Sequence, residues 1–194
     1  EPNGAPYSEW SVINPSNPYS ASKAAQEAIA IAYWRTYGVP VVIVNCMNAF
    51  GERQDREKFI PKCIRSIALG EEIVIHGTAD NIGSRHYLHA RNISDAILWL
   101  LNRPVASYPE SDRPDRYNVV GDRLDNLAVA TKIAKIIGRT FVYRLDNNPR
   151  SRPGHDLHYG LDGTKLAALG WRAPLDFDAS LERTVKWLQM NPNW

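Results

Sequence analysis

The chain is poor in cysteine: Cys46 and Cys63 are the only two in 194 residues. Neither a disulfide framework nor a metal-ligand spacing can be built from them, which suits a reducing cytoplasm. An excess of either charge is also missing, because 23 basic and 21 acidic residues leave a formal net charge of +2. The basic residues are spread along the chain, so bulk electrostatics gives no case for nucleic-acid binding and any anion site must be local. No apolar run approaches the ~18 residues that a membrane helix needs, and no signal peptide opens the sequence. Gly-x-Gly-x-x-Gly occurs nowhere, and no strand precedes the loop "EPNGAPYSEW". The usual pyrophosphate-cradling turn of a dinucleotide-binding half is therefore not in this sequence.

What is present can bury a core, since 44% of the residues are hydrophobic. "YGVPVVIVNCMNAFGERQ" reads as a turn, a fully buried strand near Val41 to Val44, and a polar loop. A helix ending near Gly70 is followed by a short strand at Ile73 to Ile75. "SRHYLHARNISDAILWLLNRP" predicts a strand entering a helix, with Asn92 or Ser94 as caps and Pro104 as the stop. "RYNVVGDRLDNLAVATKIAKIIGRTFVYRL" repeats strand, turn, helix and strand, and two further helices joined by a Gly-Trp turn close the chain. Strands alternating with helices make the class α/β. Trp34, Trp99, Trp171 and Trp187 fall in or beside helical apolar stripes and are read as core. His76, His86, His89, His155 and His158 form no ligand spacing with a carboxylate or cysteine, so no metal site is expected.

The densest chemical signal is "NPSNPYSASKAAQEAI", residues 14 to 29. Asn17 is a natural helix cap and Pro18 a natural first residue, because proline's fixed φ suits that position and its missing N–H costs nothing there. Tyr19 and Lys23, four residues apart, then share one face. An ammonium near a phenol favours the phenolate, so Tyr19 becomes a candidate general base where an isolated tyrosine, with a pKa of about 10, is a poor one.

Several motifs in order extend this signal. "PYSASKAAQE" resembles the active-site helix of the extended short-chain dehydrogenase/reductase family. "VNCMNAFGERQDREKFIP" is similar to the run Asn-Cys-Ser-Asn-Asn-Tyr-Gly-Pro followed by Glu-Lys-Leu-Ile-Pro in the nucleotide-sugar dehydratases of that family. "RHYLHARN", "YNVVG" and "RPGHDLHYGLDGTKLAALGW" resemble their Arg-x-Trp-x-Tyr-Val-x-Asp, Tyr-Asn-Ile-Gly-Gly and Arg-Pro-Gly-His-Asp to Leu-Gly-Trp segments. Met47, Ala49, Phe50, Glu52, Tyr87 and His89 depart from that pattern, which leaves the sugar open.

The resemblance implies a C-terminal portion of an enzyme. Residues 1–50 would be the last helix and strand of a Rossmann-type doubly wound domain, and 51–194 the smaller α/β sugar-nucleotide domain, with the chain crossing between the two. It implies NAD as cofactor, with NADP the alternative, and a dTDP- or UDP-linked sugar as substrate. By motif, Tyr19 and Lys23 take the catalytic and nicotinamide-ribose roles, and Asn45 lies by the nicotinamide. Asn48, Lys58 and Asn118 match substrate contacts, Arg85 and Arg152 the diphosphate-holding arginines, and His155 a position near the nucleoside. The resemblance also implies a homodimer through the Tyr19 helix, whose outer residues include Ala24, Ala28, Ala32 and Tyr33. A 4-epimerase, a decarboxylase or a non-catalytic sugar-nucleotide-binding domain are the alternatives to a dehydratase.

Overall fold

The computed structural model describes residues 5–151 and 156–194. Helix α1 (Pro18–Tyr37) starts where its sequence predicts. Asn17 is extended, and its Oδ1 accepts from the Ser20 amide at 2.9 Å and the Ser20 hydroxyl at 3.1 Å. Gly38 ends the helix in the left-handed region, at φ +65°, where a side chain would be strained. Trp34 is the one fully buried residue of its twenty, and its Nε1–H donates to the Ala106 carbonyl at 2.9 Å. Tyr19, Ile29, Tyr33 and Tyr37 are exposed.

Strand β1 (Val42–Cys46) pairs in parallel with β6 (Asp115–Val119), placing Asn45 opposite Asn118. A fully buried β1 is expected from its run of apolar residues, but the strand is only half-buried and Cys46 is exposed. Val42 and Val44 pack against the core, whereas alternation turns Ile43 to the other face. Among the described residues β6 is the only strand beside β1, so one edge of β1 is open.

A second sheet runs β2 (Asn48–Phe50), β5 (Ser84–His89), β7 (Asp122–Asp125), with β2 parallel and β7 antiparallel to β5. A third has β3 (Ile73–Thr78) between β4 (Asn81–Ile82), antiparallel, and β8 (Tyr143–Asp146), parallel. Helices α2 (Phe59–Leu69), α4 (Asn126–Ile137) and α6 (Phe177–Met190) pack over these sheets. Ile60, Ile67, Ile75, Val129, Ile133 and Leu181, each at most 2% exposed, form the centre of this larger core. A smaller core joins β1 and β6 to α3 (Ala90–Leu101) and α5 (Thr164–Ala168) through Leu88, Ala96, Leu100, Val119, Leu166 and Trp171. Of the other tryptophans read as core, Trp99 and Trp187 are only half-buried: Arg103 lies over the Trp99 ring and Trp187 meets Trp194 edge-on.

The cap of α3 differs from expectation. Strand β5 runs straight into the helix, so the cap falls on the last strand residue, His89, whose Nδ1 accepts from the Arg91 amide at 3.2 Å. Asn92 is instead buried and clasps Leu175, donating to its carbonyl at 2.8 Å and accepting from its amide at 3.0 Å. Ser94 turns back to the Ala90 carbonyl. Among the described residues no helix is long and apolar enough to cross a membrane.

Candidate active site and nucleotide cavity

A cavity of about 540 Å³ opens at the C-terminal ends of the parallel strands β3 and β8. Ligands in α/β proteins gather at such strand ends, because the strands stop there and only loops compete for the space. The tight β3–β4 turn behind it needs Gly77: φ is +131°, and a Cβ would sit 2.4 Å from the Asn81 carbonyl oxygen. Asp146 lines one wall. The Asn148 amide, donating at 3.0 Å, and then the Ser151 hydroxyl hold its carboxyl below the ordinary range against some burial, with His76 and Arg144 adding to the effect.

Arg85 also lines the cavity, and its guanidinium is held by three backbone carbonyls. Nη1 donates to the carbonyls of Ser84 at 2.7 Å and Leu157 at 2.6 Å, and Nη2 to that of Asp156 at 2.6 Å. Its Cζ lies 4.6 Å from the centre of the Tyr159 ring. His158 secures the same segment: its Nδ1 lies 2.8 Å from the Ser84 hydroxyl and accepts from the Ser84 amide, leaving Nε2–H to donate to Asn81 Oδ1 at 2.6 Å. Residues 156–159 are thus strapped across the start of β5.

The strap reaches β2 of the same sheet through one hydroxyl. Tyr159 donates to Asn48 Oδ1 at 2.8 Å, while Asn48 Nδ2 donates to the His86 carbonyl at 3.2 Å. Asn118, predicted as a substrate contact, is fully buried instead. Its Nδ2 donates to the carbonyls of Tyr7 at 3.2 Å and Asp162 at 3.0 Å, and its Oδ1 accepts from Asn45 Nδ2 at 3.2 Å. The asparagine that does face the cavity is Asn126, first residue of α4, whose Oδ1 accepts from the Tyr87 hydroxyl at 2.7 Å. The signal for it was local: Asp125 caps α4 through the Ala128 amide, which puts the next residue at a helix start directly after a strand.

Tyr19 stands exposed on the first turn of α1, and Lys23 is exposed with Nζ bonded to Gln26 Oε1 at 2.7 Å. Lys58 is exposed at the start of α2, where its carbonyl accepts from the Lys62 amide. The loop leading to it is tied down by Glu52, whose carboxylate takes Arg183 Nε at 2.6 Å and His89 Nε2–H at 3.2 Å. Burial opposes the charge on Glu52, but its own backbone amide, then Arg183 and His89, outweigh it and hold the carboxyl below the usual range. Burial also dominates at His89 and lowers its pKa despite the pull of Glu52. These are two positions where the sequence departs from the resembled pattern, and they depart together as a bonded pair. Arg152 and His155 lie outside the described residues.

The model of the NAD dependent epimerase/dehydratase family matches residues 1–119, more than half of the chain. The chain belongs to this family. Among family relatives, a probable dTDP-glucose 4,6-dehydratase of Sinorhizobium fredii is 37% identical over 97% of this chain and 53% of that protein. The dTDP-glucose 4,6-dehydratase of Haemophilus influenzae is 33% identical over 95% of this chain and 55% of that protein. A double mutant of the Streptomyces venezuelae dTDP-glucose 4,6-dehydratase, solved with NAD and DAU bound, superposes with a TM-score of 0.83 at 31% identity, covering 99% of this chain and 57% of that one. The UDP-glucose 4-epimerase of Thermus thermophilus, solved with NAD, shares the fold with a TM-score of 0.82 at 24% identity. The chain spans about half the length of the curated relatives it matches. For this epimerase/dehydratase chain the structure joins Arg85, Asn48 and the strap in one network, and Asn45 and Asn118 in another, while Lys23 is bonded to Gln26 on α1.

Proposed function

We propose that the full-length protein is an NAD-dependent nucleotide-sugar dehydratase of the dTDP-glucose 4,6-dehydratase type, and that this chain holds its sugar-nucleotide side. The observation that carries the reading is the identity to such dehydratases along nearly the whole chain, 37% in one case, against 24% for the UDP-glucose 4-epimerase of Thermus thermophilus. Within it, residues 1–50 close the nucleotide-binding domain and 51–194 form most of the substrate domain. Tyr19 takes the proton of the sugar 4-hydroxyl as hydride leaves C4. Lys23, exchanging Gln26 for its working partner, places its ammonium on the same helix face and binds the nicotinamide ribose. NAD, when bound, would supply the acceptor for that hydride. The residues present fit its nicotinamide end, with Asn45 at the carboxyl end of β1, whereas the Gly-x-Gly-x-x-Gly turn for its pyrophosphate is not among these 194 residues. The nucleoside diphosphate takes the 540 Å³ cavity, with Asn126 and Arg85 in its wall, Arg152 and His155 are its further contacts by motif, and Asn48 and Lys58 meet the sugar.

A homodimer through α1 belongs to the same reading, supported by a twenty-residue helix that buries Trp34 alone and leaves Ala28, Ala32 and Tyr33 exposed. So does a cytoplasmic setting, with both cysteines free. The test is to incubate the full-length protein with NAD and dTDP-glucose and to follow the 4-keto sugar by its absorbance in alkali. Turnover supports the dehydratase, and conversion of UDP-glucose to its 4-epimer without a 4-keto product would replace it with an epimerase. The 194-residue chain alone is expected to give no turnover.

A further inference from the structure

We propose that Tyr159 is a positioning residue that sets the Asn48 amide for the sugar and seats Arg85 for the nucleotide. The inference rests on the reading of Asn48 as a sugar contact. It starts from what an asparagine amide can do: two N–H donors and two lone pairs on one oxygen, with nothing in the side chain's shape to decide which end points where. Around Asn48 two neighbours decide it. The Tyr159 hydroxyl donates to Oδ1 at 2.8 Å, and the His86 carbonyl takes one N–H of Nδ2 at 3.2 Å. A flipped amide would set its oxygen against the His86 oxygen, two acceptors with no proton between them. One N–H and one lone pair stay available, in a fixed direction, for a ligand hydroxyl.

The tyrosine ring does a second job. It stacks on the Arg85 guanidinium, 4.6 Å from centroid to Cζ, while that guanidinium holds the carbonyls of Asp156 and Leu157 in the segment leading to Tyr159. Arginine and tyrosine therefore fix each other from two sides. Hydroxyl and ring can be separated by mutation, which makes the two jobs testable apart.

In the full-length protein with NAD, Tyr159→Phe, Tyr159→Leu, Asn48→Ala and the Phe/Ala double variant are compared for kcat and KM with dTDP-glucose. Calorimetry gives the Kd for dTDP-glucose and for dTDP without the sugar. Losing one neutral hydrogen bond should lower kcat/KM in Tyr159→Phe by about three- to tenfold, leaving dTDP affinity within about twofold. Added to Asn48→Ala, the Phe change should cost nothing more, because residues acting through one another are not additive. Tyr159→Leu, which also loses the stacked ring, should weaken dTDP binding by about fivefold or more. Wild-type kinetics for Tyr159→Phe, losses that multiply in the double variant, or equal dTDP losses in Phe and Leu would each overturn the proposal. Absence of wild-type turnover would count against the dehydratase reading alone, since the dTDP-glucose affinities still judge Tyr159. Failure of the wild type to bind dTDP-glucose at all would overturn both.

Discussion

Replacing Asn118 with leucine separates a structural lock from a substrate contact. The side chain is completely inaccessible, and three bonds end on it: two donated to the carbonyls of Tyr7 and Asp162, one accepted from Asn45. Leucine has the same number of side-chain heavy atoms and the same branching, so no cavity forms, but the Asp162 carbonyl and the Asn45 amide lose this partner, while the Tyr7 carbonyl keeps the Asp162 amide, which donates to it at 2.8 Å. Each net bond contributes about 0.5–1.5 kcal/mol, and a buried group left unsatisfied costs about 1–3 kcal/mol. Part of that loss is recoverable, since Tyr7 and Asn45 are only half-buried. A net loss of about 3 kcal/mol is expected, which for a chain of this size corresponds to a fall in Tm of about 6–12 °C. Thermal and urea unfolding of Asn118→Leu give the first number, and calorimetric titration of dTDP into the folded variant gives the second, expected within about twofold of wild type. Asn126→Ala should differ, losing only the bond from the Tyr87 hydroxyl, so that Tm falls less than in Asn118→Leu while dTDP affinity is reduced. An Asn118→Leu protein that melted like wild type but no longer bound dTDP would refute both the lock and the reassignment to Asn126.

Acid should destabilise the fold in two stages. His89, held below its ordinary 6.5, stays neutral in the fold while the unfolded chain takes up a proton, so its contribution is complete above about pH 6.5 and is drawn down below it, by at most about 1.4 kcal/mol per pH unit. Glu52, held below its ordinary 4.5, adds a loss of the same sign below that pH, and urea midpoints at pH 7.5, 6.0 and 5.0 should flatten in His89→Phe. Trp34→Ala should cost about 3–5 kcal/mol and speed amide exchange along α1, since no other residue of that helix is fully buried; unchanged exchange would show α1 held elsewhere. In Gly121→Ala the added Cβ would lie 2.0 Å from the Tyr87 carbonyl oxygen, so β5 and β7 must separate, and a variant with native circular dichroism and Tm would contradict the packing at that turn.

What was legible in the sequence was local. Asn17, Pro18 and Gly38 mark α1 by chemistry acting within a turn, and Gly70 ends α2 in the same way, in the left-handed region. Tyr19 and Lys23 could be paired because a helix brings positions four apart onto one face. The lock at Asn118 could not, because its partners lie 44, 73 and 111 residues away along the chain, and only the parallel register of β1 with β6 brings Asn45 opposite it. Tyr159 and Asn48 are likewise 111 residues apart. His89 as a helix cap was hidden for a different reason: histidine is not a usual cap, and its Nδ1 is free to accept only because Glu52 takes the proton on Nε2. The half-burial of β1 was misjudged because apolar content reports what a strand can tolerate against its faces, not which strands lie beside it.

That open edge has a practical consequence. Among the described residues, Val42, Ile43 and Val44 present a row of backbone donors and acceptors with β6 on one side only. An unpaired β-branched edge is a template on which any extended peptide can add a strand, another copy of this chain included. Produced by itself, the 194-residue polypeptide should therefore come off a sizing column as concentration-dependent aggregates that bind a fibril dye. A lysine at Ile43 should return it to smaller species, since a charge on an exposed edge discourages further strands from docking.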